Sequence, residues 1–360
     1  MSVSRLLVNA ILLVLTGLLT VGILELVLPV VTDVTDNIDY QHLAGVGLHL
    51  RPGQEGEYIR EEFRGAFQVN AAGFNNTADY ATAKRSGVVR VAVVGDSFVE
   101  ALQVRPPQTL FAVLARTLTE SGLAAEAYSF GISGYGTAQE YHLIEQYVVR
   151  YRPDALVLLF VANDVGDSVT CSGRSGWTQR YDVHPDGSIT KEPFPVYRIS
   201  PWKRILKHSR LFRYIFYQRR LLERIETWRA SAGHAEAAPP PDAGVGACEA
   251  EGWVVVEEML ARIDALMAEH GIPWLLVRET GHEPDYRAGT RVQLEKVVER
   301  RKLPYFDPTA AFVADLATHG REFRIPGDGH WNAEGHRVAG TALAERVREM
   351  VTLRAGDDRR

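Results

Sequence analysis

Five residues of this chain have the types and settings that acyl transfer requires. Ser97 closes the run Val91-Ala92-Val93-Val94-Gly95-Asp96, a buried-strand pattern cut off by a Gly-Asp-Ser turn. A serine where a strand stops at the carboxyl edge of an α/β sheet is placed to act as a nucleophile. Serine attacks poorly at neutral pH, so it needs a base, the base needs an orienting partner, and the tetrahedral oxyanion needs convergent donors. Asp328-Gly329-His330 offers the base and its orienter. Gly131-Ile132-Ser133-Gly134-Tyr135-Gly136 follows an apolar stretch and can bring a bare backbone N–H against a ligand, because glycine has no side chain in the way. Asn163 follows Ala155 to Ala162, another buried-strand run, and carries an amide donor to a strand end. Gly-Asp-Ser alone occurs in many surface turns. The three later segments give it meaning.

The elements that must hold these residues alternate along the chain. The apolar patterning predicts strands at 88–94, 126–131, 155–162, 273–279 and 304–307, and helices near 108–121, 137–149, 254–269, 289–301 and 332–350. Such alternation implies a parallel sheet wrapped on both faces, with the candidate residues on loops at the carboxyl ends of its strands. Residues 32–87 are more turn-like than periodic, with Gly45-Val46-Gly47, Arg51-Pro52-Gly53 and Asn70 to Asn76. A long excursion at about 165–251 interrupts the core. It holds a turn at Asp182 to Ser188, a basic and aromatic stretch from Ile205 to Trp228, and an Ala/Gly/Pro linker from Ala230 to Gly246. Apolar and basic residues interleave in the basic stretch as on a surface helix, so it is expected as a cover over the sheet; contact with lipid headgroups or an anionic glycan is the alternative.

In these four blocks the chain resembles the SGNH/GDSL hydrolase superfamily, named for Ser, Gly, Asn and His, over roughly Val88 to Met350. The resemblance implies a flavodoxin-like three-layer α/β fold with a parallel sheet. It also implies Ser97 as nucleophile, His330 as general base oriented by Asp328, and an oxyanion hole made of the Ser97 N–H, the Gly134 N–H and the Asn163 amide. The chain departs from the family's common pattern at three places. Phe98 stands where leucine is frequent, which reads as a packing change. Val161-Ala162-Asn163-Asp164 stands where Gly-x-Asn-Asp is usual, which makes the backbone before the amide less permissive. Asp328 and His330 are separated by one residue where two are usual, a spacing similar to that of extracytoplasmic polysaccharide O-acetyltransferases of the alginate type.

Neighbouring polar residues are read as structural. Asp96 and Asp164 sit at turns, where a carboxylate accepts backbone hydrogen bonds. His336 falls in the first turn or so of the last helix and reads as a packing or capping residue, and Asn332 as that helix's start. His184, His282 and His319 show no metal-ligand spacing, so neither a metal nor another cofactor is expected. No Walker loop or strand-linked dinucleotide fingerprint is present.

Leu6 to Leu24 carries no charge and as a helix spans about the ~30 Å of a bilayer core. That is longer than the roughly 7–15 apolar residues of a cleaved signal, and no clear Ala-x-Ala site follows. Arg5 on one flank and acidic residues on the other place the catalytic part outside the cytoplasm, periplasmic in a Gram-negative source. The 360 residues, 46% hydrophobic and 24% charged with a net charge of -5, suit one anchored globular domain and give no electrostatic reason to expect nucleic acid. An exported compartment permits a disulfide between Cys171 and Cys248; two unpaired thiols are the alternative. The expected organisation is an anchor at 1–31, a juxtamembrane segment at 32–87, a hydrolase-like domain at 88–350 and a tail at 351–360. The expected function is a membrane-anchored serine esterase or deacylase acting on ester-linked acyl groups through a Ser-His-Asp triad, with glycan-linked and lipid-linked esters among the substrates left open. An O-acetyltransferase acting on a cell-surface polysaccharide, or a non-catalytic glycan-binding assembly protein, are the alternatives.

Overall fold

Uncharged runs of Val, Leu, Ile and Ala become two different things in the computed structural model, which describes residues 3–173, 177–231, 245–281 and 288–357. The first run is helix α1 (Val3–Val31), long and apolar enough to cross a membrane and exposed along its length. The later runs are strands. The chain first passes through an antiparallel pair, β1 (Tyr40–Leu43) and β2 (Gly47–Leu50), and a second two-stranded sheet, β3 (Glu55–Ile59) and β4 (Arg64–Gln68). Residues 32–87 are therefore more regular than the sequence suggests. Strands of four or five residues with mixed composition carry too little alternation to be read.

The main sheet uses β5 (Val89–Gly95), β6 (Ala125–Gly131), β7 (Ala155–Phe160), β10 (Trp274–Arg278) and β11 (Tyr305–Phe306), while β8 (Arg180–Val183) and β9 (Ile189–Glu192) form a hairpin in the excursion. All pairings in the main sheet are parallel, in the order β11-β10-β7-β5-β6. Counted along this sheet's own strands the order is 2-1-3-4-5, the flavodoxin-like order, which reverses direction between β5 and β7. A ligand crevice opens at such a switch point because the connections on either side leave in opposite directions.

Helices cover both faces, giving three layers. α2 (Ser97–Glu100), α3 (Leu110–Glu120), α4 (Thr137–Leu143), α5 (Asp164–Asp167), α6 (Pro201–Leu206), α7 (Arg210–Phe212), α8 (Leu221–Ser231), α9 (Val245–His270), α10 (Ala288–Arg301), α11 (Thr309–His319) and α12 (Ala333–Asp357) follow in order. Leu110, Leu114 and Leu118, four residues apart on α3, join Val338, Leu343 and Val347 of α12 against Val91, Val93, Val157 and Leu159 of the sheet. Ala138 of α4 packs with Val255 and Met259 of α9 and with Tyr181 in a second cluster. Helix α4 extends the expected element through a π turn at 144–148 and a 3-10 turn at 149–151. Helix α11 was not anticipated, and α9 begins at Val245, nine residues before the expected start at 254. The hairpin β8–β9 surrounds the turn expected at 182–188. Most of the Ala/Gly/Pro linker, and His282, lie outside the described residues.

The chain divides into two units. Met1–Asn37, Gly56–Arg64 and Ile199–Ala238 form one; Ile38–Glu55, Gly65–Arg198 and Pro239–Arg360 form the other, which contains the main sheet. The basic and aromatic stretch expected to cover the sheet belongs to the smaller unit. It is broken into α6, α7, a π turn at 213–218 and α8, and it bonds Glu25 of α1 and residues that follow that helix. Gln218 accepts from the Thr35 N–H at 3.0 Å and donates to the Asp33 carbonyl at 3.2 Å, while Arg213 reaches Asp36 at 3.1 Å. In the larger unit Cys171 and Cys248 are joined by a disulfide.

Candidate active site

Strand β5 delivers Ser97 to the switch point, and local sequence explains how. Gly95 is the last residue of the strand; a Cβ there would stand 2.5 Å from the Val99 side chain, so only glycine lets α2 fold back over the strand end. Asp96 caps α2 by accepting from the Phe98 N–H at 3.0 Å. Register places Gly131 of β6 opposite Gly95. A Cβ on Gly131 would lie 2.2 Å from the Glu100 nitrogen, so this glycine too answers a close approach.

Ser97, His330 and Asp328 form one hydrogen-bonded chain. Ser97 Oγ lies 2.8 Å from His330 Nε2, and His330 Nδ1 lies 2.6 Å from Asp328 Oδ1. With Nδ1–H donating to the carboxylate, Nε2 is left as the acceptor for the serine proton, the tautomer general-base catalysis uses. The loop that carries the pair turns back on itself: Ile325 N–H donates to the His330 carbonyl at 2.9 Å, and Gly329 N–H to Ile325 at 3.0 Å. Gly329 has φ of 89°, so one intervening residue suffices to join acid and base when that residue is glycine. Arg324 donates to the Gly329 carbonyl at 2.6 Å and pairs with the buried Glu279. The ring of Phe98 lies 4.9 Å from that of His330 and edge-on to Trp331 at 5.1 Å. The residue at the family's leucine position thus walls the base, a larger role than packing alone.

The donors expected around the oxyanion have distinct surroundings. Gly134 has φ of 79°, and a Cβ there would meet no atom within 4 Å, so backbone conformation alone calls for glycine. Among the described residues its N–H donates to no protein acceptor. Asn163 follows β7, and its Nδ2 donates to Asp96 Oδ2 and Asp167 Oδ2, both at 3.1 Å. The amide has two hydrogens, and in this structure both have carboxylate partners. Val161 is not among the residues with positive φ, so the missing glycine imposes no backbone conflict, contrary to the expectation. Its N–H donates to Asp164 at 2.9 Å and its side chain lies in the core.

Behind Asn163 lies a set of buried acids, of which the sequence reading singled out Asp96 and Asp164, each of which accepts a backbone N–H as expected, and missed Glu100 and Glu140. Asp96, Glu100, Glu140 and Asp164 are all buried, and burial pushes each carboxyl above its ordinary range, Glu100 to about 7 and Glu140 and Asp164 furthest. For Glu140 and Asp164 the charges of neighbouring carboxylates add to the effect. Among the described residues both Glu140 oxygens and one of Asp164 have no hydrogen-bond partner, which disfavours their charged forms further. Glu100 Oε2 accepts from the Ser133 N–H at 3.2 Å and from its hydroxyl, which fixes the loop bearing Gly134. In the sequence Glu100 and Glu140 look like ordinary helix charges. No local pattern marks them, because their burial is set by the sheet.

The other histidines stand apart from this chain of bonds. His336 is fully buried, its ring held neutral by a pKa that burial lowers to about 3, and its Nδ1 accepts the Leu110 N–H at the start of α3. His184 bonds Thr190 within the hairpin, and His319 pairs with Asp315 on α11.

A parallel sheet of this order, with a serine at its switch point, defines an esterase-like SGNH acylhydrolase fold. The chain belongs to the GDSL-like Lipase/Acylhydrolase family, whose pattern matches residues 93–338. Among solved structures it is similar to the acetyl xylan esterase AlAXEase, at 16% identity and TM-score 0.39 over 71% of this chain and 99% of that one. It is similar to LAE5, an alpha/beta hydrolase enzyme from the metagenome of Lake Arreo, Spain, at 15% and 0.39 over 71% and 95%. A variant of Axe2, an acetyl-xylooligosaccharide esterase from Geobacillus Stearmophilus, matches at 13% and 0.39 over 73% and 94%. Curated protein sequences give no match.

Proposed function

We infer that the chain is a membrane-anchored serine esterase or deacylase that removes ester-linked acyl groups from a glycan or lipid outside the cytoplasm. The observation that carries the reading is the unbroken chain from Ser97 Oγ to His330 to Asp328, at 2.8 and 2.6 Å. Ser97 Oγ attacks the acyl carbonyl as His330 Nε2 takes its proton. The negative oxygen of the tetrahedral intermediate then accepts from the N–H groups of Ser97 and Gly134 and from the Asn163 amide, which exchanges a carboxylate partner for the stronger oxyanion. Collapse breaks the ester C–O bond, His330 protonates the departing alcohol, and a water activated by the same base releases the acid and regenerates Ser97. Anchoring through α1 is supported by its 27-residue apolar span, Arg5–Val31. The domain organisation proposed is an anchor at 1–31, a segment at 32–87 and a hydrolase domain at 88–350 that carries the excursion.

The test is acyl release from an aryl acetate together with fluorophosphonate labelling. Wild type should be labelled at Ser97, and Ser97→Ala and His330→Ala should each lose about 10³-fold or more in turnover. Unchanged hydrolysis by Ser97→Ala would sink the mechanism. The one-residue Asp328-His330 spacing motivates the transferase alternative, and the same assay with an oligosaccharide present decides it. Mass spectrometry would find acetylated sugar in place of free acetate if a glycan hydroxyl resolves the acyl-enzyme.

A further inference from the structure

The smaller unit carries a surface that esterase chemistry does not use. Between Ile199 and Phe212 the sequence has Lys203, Arg204, Lys207 and Arg210 and no acidic residue, in a chain whose net charge is -5. Trp202 and Ile205, one turn apart on α6, are 55% and 73% exposed. Lys203 and Arg204 beside them are exposed as well. A soluble surface rarely presents a tryptophan and an isoleucine side by side among cations, whereas a helix at a bilayer surface does so regularly.

The position of this segment is fixed by Glu25. Its carboxylate accepts from the Ser209 hydroxyl, from the Arg210 N–H at 2.8 Å and from the Leu211 N–H at 3.2 Å, tying the junction of α6 and α7 to α1. Beyond Glu25 the helix stays apolar through Val31, with Leu26 and Val30 strongly exposed. Counted from Arg5 at one face of a hydrocarbon core of ~30 Å, about 20 residues of helix reach the other face. That count places Glu25 at the far boundary and the turns up to Val31 beyond it, and the segment bonded to Glu25 is held at the same depth.

We propose that α6 and the start of α7 lie on the membrane that α1 crosses, with Trp202 and Ile205 set into the interface and Lys203 and Arg204 on anionic lipid headgroups. The inference rests on the anchor reading of α1. Tryptophan suits this depth because its ring is apolar at one end and hydrogen-bonding at the other, and long basic side chains reach from it toward phosphates. Such a platform would hold the smaller unit against lipid while Gln218 and Arg213 fix it to the residues just past the anchor.

The test uses the full chain in vesicles of phosphatidylcholine, with or without about 30% phosphatidylglycerol, some made with lipids brominated near the headgroup. The Trp202 signal, read as wild type minus Trp202→Phe, should fall by about half or more in brominated vesicles, and further in those with phosphatidylglycerol. Lys203→Gln/Arg204→Gln should abolish the extra quenching due to phosphatidylglycerol. Alkaline extraction separates the two readings. A chain that stays in the membrane with Trp202 unquenched overturns this inference alone. A chain that is extracted overturns the anchor and the inference together. Equal quenching in both lipid mixtures overturns headgroup recognition.

Discussion

At the scale of single residues, Asn163 is where the site's chemistry and its stability meet. Its amide lies between Asp96 and Asp167, so it both satisfies buried carboxylates and stands ready to donate to an oxyanion. Asn163→Ala should lower kcat by roughly 10²-fold with little change in KM, because the bond strengthens only as the carbonyl oxygen becomes negative. It should also lower Tm, since two buried acceptors lose a donor. A drop in Tm with kcat unchanged would show that the amide serves the carboxylates alone. Glu100 offers a separate test through pH. Its carboxyl is raised by burial to about 7 from an ordinary 4.5, so between those values the folded protein holds a proton that the unfolded chain releases. Its contribution to stability is complete below about pH 4.5 and is lost as pH rises through about 7. Glu100→Gln, which cannot ionise, should therefore gain stability relative to wild type between pH 5 and pH 8, by up to about 3 kcal/mol. Parallel urea melts of both proteins at the two pH values measure this. A constant difference would mean that Glu100 ionises normally in the fold.

At the scale of elements, the third block shows how a departure from a family pattern is absorbed. Val161 is buried in the cluster that joins the sheet to α3 and α12, and its backbone needs no glycine. Val161→Gly should therefore cost about 3 kcal/mol of stability, from lost burial and a freer unfolded chain, and leave kcat of the folded enzyme near wild type. A rise in kcat would show that valine restrains the Asn163 turn. The same strand ends explain what was legible in the sequence. Runs such as Val91 to Val94 and Leu156 to Phe160 are buried on both faces, so they read as strands without help from the rest of the chain. The Ser97, Gly134, Asn163 and His330 blocks stand at their ends or in a glycine-bearing turn, where local chemistry is specific. Glu100 and Glu140 were not legible, because a helix acid looks the same whether it faces water or a sheet edge. The four-residue strands β1 and β2 and helix α11 escaped for the same reason: their register and burial come from contacts distant in sequence.

At the scale of the whole molecule, topology and oxidation state are two readouts of one arrangement. The basic residue Arg5 stands at the start of the apolar span and Asp33, Asp36 and Asp39 follow it; in the anchored reading proposed above, Arg5 marks the cytoplasmic end and the larger unit lies on the other side. The bond between Cys171 and Cys248 fits that reading, because disulfides persist in oxidising compartments outside the cytoplasm. It closes a loop with a sequence separation of 77 and ties the chain just after α5 to α9, which by loop entropy is worth about 4 kcal/mol, less any constraint already present in the unfolded chain. In a bacterial host, a phosphatase reporter that works only outside the cytoplasm should be active when fused after Arg360. The same cells should yield a chain whose two cysteines resist alkylation until reductant is added. Cys171→Ser/Cys248→Ser should keep the reporter active and lower Tm, since the disulfide stabilises the larger unit without directing its export. If the reporter were active while both cysteines of wild type alkylated freely, the bond would not form in the exported protein, and the double substitution should then leave Tm unchanged. An inactive reporter with free thiols would instead place the larger unit in the cytoplasm and reverse the orientation of α1.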